Sequence, residues 1–157
     1  MIQRIQTLWL TAAVIAMVLL FSFPLASFDK GLQGIYTLSV TGMKYMIDPP
    51  VYLNFWLTFP MLFIVLAIMI LIVCAIFLYK KRMTQLLMVN IAFLLNVVLI
   101  ILIFIYYIEH FRKQLQLPFS HYEVGVYFPL ISLVMLILAN RSIRKDEALV
   151  RSSDRLR

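Results

Sequence analysis

The chain has 157 residues, of which 64% are hydrophobic and 13% are charged. Ordinary globular domains are roughly half apolar and a quarter charged, and a soluble domain of this length has too much surface to bury so many apolar side chains. The composition therefore excludes a soluble globular protein and predicts an integral membrane protein. The formal net charge of +7 lies beside the apolar segments, so we assign it to membrane flanks and predict no nucleic-acid partner.

The first apolar segment, residues 8–27, is predicted to be a membrane span. Arg4 precedes it, as a basic residue precedes the apolar core of a signal peptide. However, Phe23–Ser27 is a poor small-x-small cleavage site, because it contains Phe, Pro and Leu. We therefore expect this segment to be retained as the first transmembrane helix.

The longest polar stretch, residues 28–54, is predicted to be an outer loop that contains a small β-hairpin. Residues 34–41 are rich in β-branched and aromatic side chains, Gly42 permits a turn, and residues 43–46 return as a second strand. An isolated hairpin is marginal in water, so it needs the helix ends or a partner for support. Two interpretations stay open: a lid over the helix ends, or a strand edge that binds a partner strand.

Three further spans are predicted at residues 55–79, 86–108 and 122–140. The first two are uncharged over more than 20 residues, which is enough to cross about 30 Å of hydrocarbon as a helix. The last is shorter, but Ser120 and Glu123 have the spacing of a capping box that adds a turn to its start. The sequence thus predicts one domain, residues 1–157, with the fold of an all-α, four-helix transmembrane bundle.

The distribution of basic residues predicts the orientation of this bundle. One face receives Arg4, three basic residues in the loop at 80–82 and six in the tail, ten in all, whereas the two loops on the other face carry four. Because Lys and Arg accumulate beside spans on the cytoplasmic side, both chain ends are predicted to be cytoplasmic. Anionic lipid headgroups at that face are predicted partners.

The predicted spans contain no Asp, Glu, Lys, Arg or His away from their ends. Proton relays and ion-coupled transporters need such groups inside the membrane, so we predict no catalytic residue and no cofactor. His110 and His121 match no metal-ligand spacing, and no metal site is predicted. Asn90 and Asn96 are candidate interhelix polar contacts. Six residues separate them, or about 240° on a helix, so we expect them to face different neighbours.

The tail, residues 141–157, contains no Gly or Pro, so two interpretations stay open. The fourth helix continues past the membrane, or the tail lies along the headgroups. A docking segment for a cytoplasmic partner would use the charged side chains of the two chain ends. The candidate partner-binding residues are Arg4, Arg141, Arg144, Lys145, Asp146, Glu147, Arg151, Asp154 and Arg155.

The two chain ends, Met1–Thr7 and Asn140–Arg157, resemble those of a bacterial family of four-span membrane proteins, domain-of-unknown-function family 4293. The resemblance covers the whole chain in length and span layout, and its specific part is these two ends. It implies a multi-pass protein of the bacterial inner membrane. It implies no activity, cofactor or catalytic residue.

These observations favour a non-enzymatic membrane protein. We expect an accessory or scaffold subunit that binds partner proteins through its cytoplasmic ends or its outer loop. The alternative is a transporter or lipid-binding protein with a site between the helices, near Asn90 and Asn96. A membrane enzyme is the least favoured class, because reactive groups occur only at the outer interface.

Overall fold

The computed structural model describes residues 3–29, 34–45, 51–53, 55–79, 81–114 and 121–154. The α-helices are α1 (Gln3–Leu19), α2 (Phe55–Phe77), α3 (Arg82–Ile101), α4 (Glu109–Gln114) and α5 (Tyr127–Asp154). A π-helix (Leu102–Ile108) joins α3 to α4, and a 3-10 helix (Val124–Val126) precedes α5. The strands are β1 (Ala26–Asp29), β2 (Ile35–Ser39), β3 (Gly42–Tyr45), β4 (Val51–Leu53) and β5 (His121–Tyr122).

Four helical rods pack side by side: α1, α2, α3 with its continuation through α4, and α5. The first rod contacts α2 and α5, and α3 also contacts α2 and α5, so each rod has two main neighbours. Apolar side chains fill the space between the rods; Ala13, Ile68 and Leu136 are among those with no exposed surface. The predicted mostly helical fold of four rods is therefore confirmed.

The outward faces of the rods are also apolar. Phe63, Ile70 and Phe77 on α2 are between 61% and 76% exposed, whereas a soluble helix places polar residues on that face. Within the described residues, three helical segments are long and apolar enough to cross a membrane: Thr58–Phe77, Arg82–Lys113 and Val124–Leu149. The apolar part of the first rod, Ile5–Leu19, is shorter. These lengths and apolar faces are those expected of a membrane protein.

The first rod differs in its bounds from the predicted span of residues 8–27. Its helix begins at Gln3 and ends at Leu19, and Ala26 and Ser27 belong to a strand. Pro24 gives the physical reason, because proline has no backbone N–H for a helix and restricts the residue before it to extended conformations. Apolar composition alone did not separate this strand from the helix.

The strands form one antiparallel sheet in the order β4-β3-β2-β1-β5. The predicted hairpin is confirmed as β2 and β3, which pair from Tyr36↔Tyr45 to Ser39↔Gly42. Gly42 has φ +144°, a conformation that side chains beyond glycine rarely adopt. Leu38 and Val40 are fully buried, so this face of the hairpin lies on the core.

Of the two interpretations of this hairpin, the structure favours a lid over the helix ends, because neither strand of the hairpin has a free edge. Strand β1 pairs with β2 and β4 pairs with β3, so both edges of the hairpin are occupied within the chain. Three or more strands are needed for independent stability, and the neighbouring segments supply them. The sheet is best described as a cap on one end of the bundle, and we call this end the sheet end.

The start of α5 is fastened to the turn that follows α1. Gly125 N–H donates to the Pro24 carbonyl (2.9 Å), and Glu123 N–H donates to the Leu25 carbonyl (3.0 Å). A Cβ on Gly125 would lie only 2.3 Å from the Pro24 oxygen, so no larger residue fits without a backbone shift. The segment that follows α1 and the segment that precedes α5 are therefore in backbone contact at the sheet end.

The predicted capping box does not form. Glu123 has extended backbone (φ −97°, ψ 172°) and is itself the residue before the 3-10 helix, with no side-chain cap bond. Its carboxylate instead accepts a hydrogen bond from Ser27 Oγ on β1 (2.8 Å), because the sheet places the two side chains together. Ser120 lies outside the described residues.

At the opposite end, which we call the tail end, α5 continues far beyond residue 140. Its 28 residues run without interruption from Tyr127 to Asp154. Of the two interpretations of the tail, a helix that continues past the predicted span is the one observed, as far as Asp154.

The third rod contains an irregular turn near the sheet end. Seven residues, Leu102–Ile108, are π-helical, and the rod then continues as α4. Tyr107 and Ile108 in this segment are 2% exposed. The Tyr106 and His110 rings stack with centroids 5.6 Å apart, so this histidine packs against an aromatic ring.

Candidate functional site at the tail end

Two side-chain contacts fix how α3 and α5 lie beside each other. Arg82 contacts Asp146, and Asn90 contacts Asn140. Moving eight residues up α3 therefore corresponds to moving six residues back along α5, as expected for antiparallel helices. This register places Asn96 opposite the region of Ser132, within about one helical turn.

The first contact is an ion pair at the beginning of α3. Arg82 Nη2 lies 3.8 Å from Asp146 Oδ2, and Arg82 Nη1 donates to the Asp146 carbonyl oxygen at 3.2 Å. The arginine side chain is 28% exposed and the aspartate side chain 12% exposed. One guanidinium thus binds both the side chain and the backbone of α5, and it fastens the start of α3 to that helix.

The second contact is a chain of three polar side chains one to two turns deeper. Asn140 Nδ2 donates to Asn90 Oδ1 across the helix interface. Arg144 Nε donates to Asn140 Oδ1 at 2.8 Å along α5. The central asparagine therefore uses both ends of its amide, and it fixes the guanidinium of Arg144 relative to α3.

Asn96 has a different environment. It has no exposed surface, and among the described residues neither its Nδ2 nor its Oδ1 has a hydrogen-bond partner. Ser132 Oγ, at the same level of α5, is also buried without a partner there. Of the two predicted asparagines, Asn90 makes a hydrogen bond across the interface and Asn96 makes none within the described part of the structure.

Two glutamines lie inside the bundle near the tail end. Gln6 is 5% exposed and Gln85 is 2% exposed. Gln6 Nε2 donates to the Ser142 carbonyl at 3.4 Å, which connects α1 with α5, whereas Gln85 Oε1 has no partner among the described residues. The interior at this end is therefore more polar than the middle of the bundle.

A surface groove follows the α3–α5 interface beside the amide pair. It has a volume of about 310 Å³, and we call it the amide–arginine groove; it is lined by Asn90, Phe93, Ile137, Asn140, Arg141 and Arg144. A second groove of about 360 Å³, the distal groove, is lined by Met83, Leu86, Arg144, Glu147 and Ala148. Arg144 lines both, so the two grooves meet at this side chain.

The structure brings together only part of the predicted partner-binding set. Arg141, Arg144 and Lys145 are exposed on α5, Asp146 is buried against Arg82, and Glu147 is half-buried. Arg4, Arg151 and Asp154 lie on helices, but their side chains are outside the described part of the structure. Arg155 lies outside the described residues altogether.

Sequence reasoning missed four of the residues at this end: Gln6, Arg82, Gln85 and Asn140. Arg82 was counted only as a loop charge, and Asn140 only as the start of the tail. A signal was present, because both glutamines and Asn140 lie at the ends of apolar runs, where a buried polar residue needs a partner. The partners themselves come from other helices and cannot be read from local spacing.

A family model described as a domain of unknown function, DUF4293, matches residues 2–156. The match covers nearly the whole chain, so the protein belongs to this family, as its two ends indicated. Among curated proteins, no sequence matches the chain.

Proposed function

We propose that this protein is a non-enzymatic, four-span protein of the bacterial inner membrane that serves as an accessory or scaffold subunit for partner proteins. In this proposal the tail end is cytoplasmic and the sheet end faces the opposite side. The ten basic residues beside the tail end and the four beside the sheet end support this orientation. The first rod, 17 residues long, supplies the fourth span.

One observation supports the proposed docking role: α5 extends two turns past the level of the first residue of α3. Asp146 lies beside Arg82, the first residue of α3, and Ser142 lies beside Gln6 of α1. The helix nevertheless continues from Glu147 to Asp154, which is about 12 Å at 1.5 Å per residue. The last two turns of α5 therefore extend past the level of Arg82, and we call them the projection; Glu147 and Ala148 at its start line the distal groove with Met83 and Leu86.

This projection needs no nucleation of its own, because it continues a helix that is already formed. The projection is rigidly continued from α5, so its position is set by the bundle. A helix held in this way offers a surface on which a second protein docks without first having to order it.

The orientation is tested by labelling single cysteines in intact cells. In a Cys74→Ser background, Lys145→Cys should react with a membrane-impermeant maleimide only after the inner membrane is opened. A cysteine at Ser39 on the sheet should react from the outer side of that membrane. Labelling of Lys145→Cys in cells with a permeable outer membrane alone would overturn the orientation.

The docking role is tested by photo-crosslinking and mild-detergent purification. A photoreactive residue at Ala148, exposed on α5, should capture one protein that co-purifies in constant stoichiometry. A photoreactive residue at Leu66, exposed on α2, is the control and should capture lipid. Lys145→Glu should reduce recovery of that protein and Lys81→Glu should not; repeated recovery of the chain without a partner would reject the role.

A second candidate function, lipid binding between the helices, is favoured by the amide–arginine groove. The groove adds a polar pair and two guanidinium groups to an otherwise apolar rod surface. Transport through the bundle has less support, because Asn96 is enclosed with no exposed surface. Asn96→Leu separates the two, since it should leave lipid binding unchanged and abolish any passage that uses this amide.

A further inference from the structure

The amide–arginine groove has the layout of a phospholipid site. Its polar lining, Arg141 and Arg144 with the amide pair, lies at and just past the predicted end of the fourth span at residue 140. Its apolar lining, Phe93 and Ile137, lies about one turn deeper. A phospholipid presents its charged phosphate and its acyl chains in the same order along the membrane normal.

We propose that this groove binds one anionic phospholipid, with the phosphodiester held by Arg141 and Arg144 and an acyl chain lying along Phe93 and Ile137. The inference deepens the proposed function, on which it rests for placing the tail end at the cytoplasmic leaflet. It makes the lipid a resident of the α3–α5 interface and assigns the recognition to named side chains.

The charges of the groove are complementary to a phosphate. Two guanidinium groups line it, and the described lining contains no carboxylate. The acidic residue Glu147 lines the distal groove and is not among the lining residues of this one. Arginine binds phosphate oxygens through paired N–H donors in a fixed plane, so this lining favours a phosphodiester over a neutral headgroup.

The polar chain behind the groove prepares one of these arginines for binding. The Nε of Arg144 is engaged by Asn140 Oδ1 at 2.8 Å, and Asn140 in turn donates to Asn90. The guanidinium is therefore oriented before a ligand arrives, and its two terminal NH₂ groups are the donors that reach the phosphate. Prior orientation lowers the entropy lost on binding.

The surroundings of the groove make a lipid its natural occupant. Neighbouring side chains on both helices are apolar and exposed, with Leu94 62% and Val134 52% exposed. A groove open to such a surface is open to the acyl chains of the bilayer. The same surface would not guide a soluble phosphate into the site, because Phe93 and Ile137 make part of the groove wall apolar.

The test uses the full chain in detergent and native mass spectrometry. Phosphatidylglycerol and phosphatidylcholine with identical acyl chains are added in separate titrations. We expect one phosphatidylglycerol to be retained per chain at lipid concentrations at which phosphatidylcholine is not. Arg141→Gln and Arg144→Gln should each weaken phosphatidylglycerol binding about fivefold, and the double variant about thirtyfold.

Lys145→Gln is the matched control, because it removes the same charge from the neighbouring exposed position of α5, which lines neither groove. It should change binding less than twofold. Arg141→Gln keeps the test decisive if Arg144→Gln disturbs the polar chain, since Arg141 has no part in the Asn140 bond. Gel filtration and thermal unfolding verify that each variant is folded.

Three results would overturn the proposal: equal retention of phosphatidylcholine, equal losses in Lys145→Gln and Arg141→Gln, or displacement of the lipid by millimolar inorganic phosphate, which would assign the site to a free anion. Binding in detergent does not depend on orientation in the cell. Failure of the cysteine-labelling experiment would therefore reject the proposed topology without rejecting this site. Failure of the lipid-binding test would reject this site without rejecting the topology.

Discussion

The two ends of the bundle are held together by different kinds of contact. At the sheet end, the contacts are mainly backbone hydrogen bonds. The Gly125 N–H donates to the carbonyl of Pro24, and five strands pair in one sheet. At the tail end, side chains of α1, α3 and α5 make the contacts, to side chains or to backbone carbonyls of a neighbouring helix. A close backbone contact excludes larger side chains at that position but does not depend on the chemistry of a particular side chain. A side-chain contact can be exchanged or removed by substitution, and its polar groups can also bind a ligand. The sheet end is therefore the more rigid of the two, and the tail end has the polar side chains that are able to bind a ligand.

The strongest way to break the sheet end is Gly125→Ala. The new methyl group would lie 2.3 Å from the Pro24 oxygen, and backbone must move to relieve it. We expect a loss of about 3 kcal/mol or more in unfolding free energy, at the upper end of overpacking effects, measured by reversible unfolding in mixed micelles. Val124→Ala, at a neighbouring position that is 53% exposed, is the control and should lose less than about 1 kcal/mol. An equal effect of the two substitutions would contradict the close approach.

Asn140→Leu should break the polar chain at the tail end with a smaller effect. Asn90 and Arg144 both lose the partner they now have, and the Asn90 amide stays partly buried. Interhelix hydrogen bonds in membranes contribute about 0.6 to 2 kcal/mol, so we expect a loss of that size in unfolding free energy. The same variant should also weaken phosphatidylglycerol retention, because Arg144 is no longer oriented. Unchanged stability and unchanged retention together would show that the chain of amides is incidental.

Asn96→Leu should have the opposite sign. Both polar atoms of this amide are buried without a partner among the described residues, and leucine fills a similar volume without the cost of desolvation. We expect a gain of about 1 kcal/mol in the free energy of unfolding. Asn90→Leu is the paired variant and should be destabilising, because it leaves Asn140 without its acceptor. Destabilisation by Asn96→Leu would show that this amide has a ligand, such as a bound water.

Asp146→Asn should have the smallest effect. The ion pair is long, at 3.8 Å, and the arginine side chain is 28% exposed, so solvent screens it; such pairs contribute about 0.2 to 1 kcal/mol. The bond from Arg82 to the Asp146 carbonyl remains in the variant. We expect a loss below about 1 kcal/mol, and a loss that does not shrink in high salt would contradict a screened pair.

Prediction from the sequence was most accurate for elements whose structure is determined by their own residues. Long uncharged runs predicted α2 and α3, and the alternation around Leu38 predicted the central hairpin. Two other strands of the sheet escaped prediction, because β1 continues an apolar helix in composition and β5 has two residues. A strand this short exists only because its neighbour in space pairs with it.

At the candidate site, likewise, a residue was predicted from its local surroundings and its distant partner was not. Asn90 was singled out because an amide in an apolar helix needs a partner, and that argument is local. Its partner Asn140 lies fifty residues away, and nothing in the spacing of α3 points to it. The role of Gly125 was not predicted, for a related reason. It depends on the absence of a side chain, and the atom that Gly125 approaches belongs to another segment.

The π-helix at Leu102–Ile108 has a consequence for how the length of this chain can vary. A π-turn closes its hydrogen bond one residue later than an α-turn, so the third rod carries a residue in surplus there. Deleting one exposed residue, such as Ile105, which is 70% exposed, would convert the segment to ordinary α-helix. The buried faces before and after it would keep their alignment. Chains one residue shorter at this point can therefore share the same fold, and natural insertions and deletions within this span are expected to fall in these seven positions.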